Sequence, residues 1–209
     1  PGPRATPELP AAVREWREDL ARMTPDCRLP LADLAVAALR GLTPGQYESF
    51  RDLVLTLSGM DQAIDLFEYA LLRTLVRRLD PLYRKVKRPA IQVYQVHGVA
   101  PAAVDLLATL AWTGNPDGAA AAAAFRQGLM VLAEPPTDLP PAAECTLTRL
   151  DQALDRLLAA SHPVRGQVLE ACAACVAHDG EVTVEEGELL RAIADSLECP
   201  IPPYGGAGP

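Results

Sequence analysis

Apolar residues recur along this chain at helical spacing. Leu147, Leu150, Leu154, Leu157 and Leu158 line one face of a helix, and Leu71, Leu72, Leu75 and Leu79 line another. Prolines bracket these stripes: Thr43-Pro44 and Asn115-Pro116 read as an N-cap followed by the first helical residue, and Thr43-x-x-Gln46 is a capping-box pattern. The pattern predicts helices over 9–22, 31–41, 44–59, 65–79, 102–112, 116–132, 144–160, 164–177 and 183–197. Only Ile91 to Val96 alternates like a strand, and with no obvious partner it reads as extended or irregular. The expected fold class is therefore all-α, a multi-helix globule.

Proline-rich breaks suggest an organisation of the chain. Residues 1–26 form an N-terminal linker and helix, 27–133 a first helical region, 134–142 a linker, 143–199 a second helical region and 200–209 a tail. The stretch Ala133–Pro141 fits a flexible hinge between lobes and a stiff strap over one globule equally well.

The two regions are related by an internal duplication. Residues 50–79 align without gaps on 168–197, pairing Asp61 with Asp179, Glu68 with Glu186, Leu71-Leu72-Arg73 with Leu189-Leu190-Arg191, and Leu79 with Leu197. Each copy reads as helix–loop–helix. Asp65 and Thr183 cap the second helix, Glu68 and Glu186 stand three residues on to complete a capping box, and Ile64 or Val182 points inward just before it. Leu71, Leu72, Leu75, Leu189, Leu190 and Ile193 are the expected buried faces. Asp179-Gly180 suits a tight turn that Asp61-Gln62 does not.

Composition changes this picture mainly by exclusion. Of 209 residues 49% are hydrophobic, enough for a packed core, and the net charge of −8 argues against nucleic-acid binding. The least charged stretch, Pro89 to Pro116, is interrupted by polar residues and reads as a buried helix from Ala102 to Trp112. The six alanines from Ala119 to Ala124 favour a helix that others can approach closely. Five cysteines in a chain of this length do not suggest a disulfide scaffold, and Cys172-Ala-Ala-Cys175, inside a helical pattern, reads as two small core residues. No His-Glu-x-x-His, Gly-x-Ser-x-Gly or phosphate-loop motif occurs, and His178-Asp179 reads as a helix end more readily than as an acid–base pair.

Two charge clusters are candidate sites. Asp179, Glu181 and Glu185, with Glu186 and Glu188 nearby, form an acidic group that could hold a metal ion or complement a helix N-terminus. An EF-hand register fails, because Val184 falls where Gly is required and Leu190 where the bidentate Glu belongs. Between Arg73 and Arg88 lie seven basic residues against one acid, Asp80, with Arg84, Lys85, Lys87 and Arg88 closing the run. That segment is either a solvated face balancing acidic helices or a surface for anionic lipid or an acidic partner.

The run Ala177-His-Asp-Gly-Glu-Val-Thr-Val-Glu-Glu through Leu189-Leu-Arg-Ala-Ile-Ala194 resembles a tellurite-resistance-type (TerB-like) helical domain, with its Asp-Gly loop, capping Thr and Glu three residues later. Leu29–Arg40, Gln46–Leu79 and the ending Ala194-Asp-Ser-Leu-Glu-Cys-Pro-Ile-Pro-Pro203 resemble the C-terminal segment of bacterial membrane-anchored zinc metallopeptidases of the HtpX and CAAX-protease superfamily. The resemblance implies two TerB-like repeats and a non-catalytic interaction or regulatory domain on the cytoplasmic side of a membrane protease. Zinc and peptidase activity would belong to the parent, with no cofactor here, and the partners would be the parent peptidase domain or another protein. The alternative is a TerB-like domain that senses a metal ion or small ligand through the acidic loop.

Overall fold

In the computed structural model the described residues are 16–17, 19–20, 22–24, 27–58, 66–85, 90–115, 117–199 and 201. They form eight α-helices: α1 (Arg28–Leu39), α2 (Pro44–Ser58), α3 (Leu66–Tyr83), α4 (Ala100–Gly114), α5 (Gly118–Leu132), α6 (Leu147–Leu158), α7 (His162–Val176) and α8 (Val184–Ser196). Short 3₁₀ turns span Val96–Val99 and Ala142–Glu144. The architecture is all-α, as the apolar spacing predicts.

The core is organised around α4, which packs against α5, α6 and α7. Val96–Gly114 is long and apolar enough to cross a membrane by length and composition. In this fold it is the central element, with Leu106, Leu107 and Ala108 enclosed. The alanine run does what its small side chains allow: Ala121 and Ala124 are buried, bringing α5 close to its neighbours. At Gly128 the approach is tighter still, since a Cβ there would lie 2.8 Å from Leu107 Cδ2 and 3.0 Å from the Ala171 carbonyl oxygen. Leu150, Leu154, Leu157 and Leu158 of α6 are buried as one face. Each fully buried Leu contributes about 1.5–3 kcal/mol.

Two helix pairs, α2–α3 and α7–α8, share their register in sequence. The helices α2 and α7 both run 15 residues and start 118 positions apart, as do the starts of α3 and α8. The two second helices, α3 and α8, pack side by side through small residues. Ala70 meets Ala192, and the Thr74 and Ser196 hydroxyls lie 3.3 Å apart. Partner numbers rise together along both helices, so the two run parallel. On the other flank of α3, Tyr47, Val36 and Leu79 form a small separate core.

Several expectations are corrected by packing. The helix expected to stop at Leu79 continues through Pro81 to Tyr83. Its last turn is held from outside: Asp80 accepts from Tyr47 OH at 2.7 Å and Arg51 Nε at 3.1 Å, and Tyr83 stacks on Tyr47 while donating to the Leu39 carbonyl. Asn115 does not cap α5. Its amide donates back to the Ala111 carbonyl at the end of α4, and Asp117 caps α5 by accepting from the Ala120 N–H at 2.9 Å. A carboxylate suits that place because the helix N-terminus carries partial positive charge. Leu71, Leu72 and Leu75 are half-buried rather than enclosed: Leu71 lies beside the Ala70–Ala192 contact and Leu75 beside the small core of Val36, Tyr47 and Leu79. The extended stretch near Val93 does find a partner: its backbone bridges the turn at Ala160, with Ser161 N–H donating to the Val93 carbonyl at 2.8 Å. The proline-rich stretch after α5 runs against the globule, where Leu139 touches the core and Trp112 Nε1 donates to the Pro140 carbonyl. The expected helix over 9–22 falls largely outside the described residues, as do Asp61, Gln62, Ile64 and Asp65 of the first loop.

Candidate functional site

The acidic loop between α7 and α8 is built by its own backbone needs. Gly180 adopts φ +86°, a left-handed conformation that favours glycine, and Asp179 Oδ1 accepts from the Glu181 N–H at 3.1 Å. Thr183 and Glu186 then form a reciprocal capping box, each side chain accepting from the other's backbone N–H. The Asp179 and Glu186 carboxylates are therefore engaged in shaping the loop. Asp179 and Glu181 are exposed, and the Glu185 side chain lies outside the described residues. Among the described residues no group of three or more His, Cys, Asp or Glu side chains converges on one point. Asp179 bonds within its turn rather than to His178, whose buried Nδ1 has no partner among the described residues.

The described arginines of the basic segment are ion-paired within the fold, and Arg73 is largely enclosed. Arg73 reaches Asp151 and Asp155 on α6, with Tyr69 OH donating to the same Asp151. Burial pushes the Tyr69 phenol well above its usual range, so it stays a donor. Arg77 pairs with Glu198 at 3.2 Å, and Arg78 bridges Asp33 on α1 and Asp195 on α8. Arg84 lies 3.4 Å from Glu48. Lys85 is exposed, and Lys87 and Arg88 lie outside the described residues. These pairs tie α3 to four other elements and locally balance its charge.

The Cys172 and Cys175 thiols are buried and free. Burial raises both, Cys175 to about 12, so neither is a thiolate nucleophile at neutral pH.

Among the described residues, a cavity of about 380 Å³ with mostly apolar walls lies where α3, α4, α7 and α8 meet the start of α1. Leu66, Phe67, Leu110, Val176 and Leu189 supply apolar walls, and Glu186 and Glu188 are among the polar residues that border it. Glu186 reaches across from its capping role, its Oε1 standing 3.2 Å from where a Gly114 Cβ would be. Glu188 is buried at 6% exposure. Its Oε1 accepts from Arg191 Nη1 at 2.7 Å, while its buried Oε2 has no hydrogen-bond partner among the described residues. At the mouth the Arg28 guanidinium sits 5.6 Å from the Phe67 ring centroid.

Sequence reasoning found the cap residues Thr183 and Glu186 but not the cavity they border. Its walls come from five helices far apart in the chain. One signal was present: Glu188 stands one turn before Ala192, so an acid shares a helix face with a small, enclosed residue. No family model, curated protein or solved structure matches this chain.

Proposed function

We propose that this chain is a non-catalytic helical interaction or regulatory module. The observation that carries this reading is the way its charged side chains are spent. Arg73, Arg77 and Arg78 join α3 to α6, to α8 and its following turn, and to α1, while Arg165 Nη1 donates to the Leu197 carbonyl at 2.7 Å. Polar groups used as struts make a rigid scaffold that presents surfaces, rather than a set of groups converging on a reacting atom.

The resemblance of 177–194 to a TerB-like domain, and of 29–40, 46–79 and 190–203 to the C-terminal segment of membrane zinc metallopeptidases, supports a specific setting for that scaffold. In this reading it is the soluble C-terminal part of a membrane protease on the cytoplasmic side, acting on the peptidase domain or its partners, with zinc and proteolysis belonging to the parent. The test is direct. The purified chain incubated with casein and added zinc should release no peptides above a buffer control, and chelator-sensitive cleavage would overturn the proposal.

A further inference from the structure

We infer that the cavity between α3, α4, α7 and α8 binds a compact, uncharged and mostly apolar molecule, the size of one aromatic ring with a short substituent. Its volume of about 380 Å³ lies within the range of about 300–1,000 Å³ typical of small-molecule sites. An enclosed apolar space of about 150 Å³ already suffices for benzene. Protein interiors leave few voids larger than a water molecule, because wall atoms without neighbours forfeit dispersion contacts. The walls are fixed before any ligand arrives: Leu66, Leu110 and Leu189 belong to the main core, and Phe67 packs against it.

The charges around the cavity select against an ion of either sign. Glu186 Oε2 accepts from the Thr183 N–H and hydroxyl, both at 2.9 Å. Glu188 is held by Arg191 Nη1 at 2.7 Å, and its other oxygen is enclosed. Arg28 is exposed to water and lies over the Phe67 ring. Two carboxylates thus stand against two guanidinium groups. An ion entering this space would lose hydration without meeting an excess of opposite charge. An uncharged ring has little hydration to lose and gains the apolar walls. One hydroxyl on the ligand can be met by Thr113 or Asn115, which also border the cavity. Thr113 Oγ1 donates to the Thr109 carbonyl at 2.8 Å and Asn115 Nδ2 to the Ala111 carbonyl at 3.2 Å, which leaves an oxygen of each to accept. This site goes beyond the scaffold role proposed above and stands or falls separately from it.

Benzyl alcohol titrated into the isotope-labelled full chain tests this, with benzylamine and benzoate as cationic and anionic counterparts of similar size. Benzyl alcohol should shift the amides of residues 110–115 and 186–189 saturably and bind at least about tenfold more tightly than either ion. Val176→Phe puts a ring into the cavity and should abolish those shifts. Phe67→Ala removes an aromatic wall and should weaken binding by about three- to tenfold. Should either variant not fold, the wild-type shift map and the order of the three probes decide. Absence of saturable shifts, shifts confined to other helices, binding of either ion as tight as that of benzyl alcohol, or unchanged affinity in a folded variant would each overturn the assignment.

Discussion

The helix pairs α2–α3 and α7–α8 begin at matching positions and carry the same Leu-Leu-Arg run, yet they are held in place by different physics. In α8, Leu189, Leu190 and Ile193 enter the main core. In α3 the matching Leu71, Leu72 and Leu75 stay half-buried; that helix enters the main core through Leu66 and Tyr69 instead, meets Ala192 through Ala70, and is tied down further by its arginines and by the Tyr47–Tyr83 stack, with ring centroids 4.4 Å apart. The same Leu-Leu-Arg run thus serves as core in α8 and as edge in α3. Local pattern specifies a helix and its start; the neighbours decide which face is enclosed.

The matched arginines break the comparison most sharply. Arg191 and its partner Glu188 are both largely enclosed, at 13% and 8% side-chain exposure. Arg191→Ala leaves a buried carboxylate without its cation and should cost about 3–5 kcal/mol in chemical denaturation. Arg73 is just as enclosed, but its partners Asp151 and Asp155 are 47% and 66% exposed, so water can solvate them when it is removed. Arg73→Ala should cost about 1–3 kcal/mol. Equal losses would mean that the two positions are equivalent after all.

The matched leucines give the next effect. Leu190→Ala should lose about 2–5 kcal/mol, from lost burial plus the cavity left behind. Leu72→Ala should lose roughly 1–2 kcal/mol, since water already reaches its site. A Leu72→Ala loss as large as that of Leu190→Ala would make Leu72 as enclosed as Leu190.

The smallest effect concerns the outward use of the basic run. Arg73, Arg77, Arg78 and Arg84 are ion-paired within the fold. Arg84 is thus already partnered while Lys85 is exposed, and the combined Arg84→Ser, Lys85→Ser, Lys87→Ser and Arg88→Ser variant should sediment less with anionic vesicles at low salt, by a small amount. Near-complete loss of salt-sensitive binding in that variant would place a membrane-facing surface in the segment that follows α3, and no change would make the end of the run a solvated face only.

Much of this architecture was legible before folding. The Thr43–Gln46 and Thr183–Glu186 boxes mark the starts of α2 and α8 because they satisfy backbone groups within four residues of themselves. The α6 leucines declare their face because their period matches the helix. The Asn115-Pro116 expectation failed for a local reason: Asn115 can serve the helix before it or the one after it, and Asp117 was the better acceptor for the latter. The extension of α3 through Pro81 was not legible, because it rests on Tyr47 and Arg51 from another helix.

Helices, caps and the all-α class follow from interactions between residues a few positions apart, and those the amino-acid order determines by itself. Tertiary structure alone decided the rest. It gave the arginines of a basic run their partners by bringing Asp33, Asp151, Asp155 and Asp195 to α3. It also made a cavity from Phe67, Leu110, Val176 and Glu188, residues spread over more than a hundred positions. A side chain's partners depend on distances that sequence separation does not encode, so charge and burial acquire their meaning only when the helices meet.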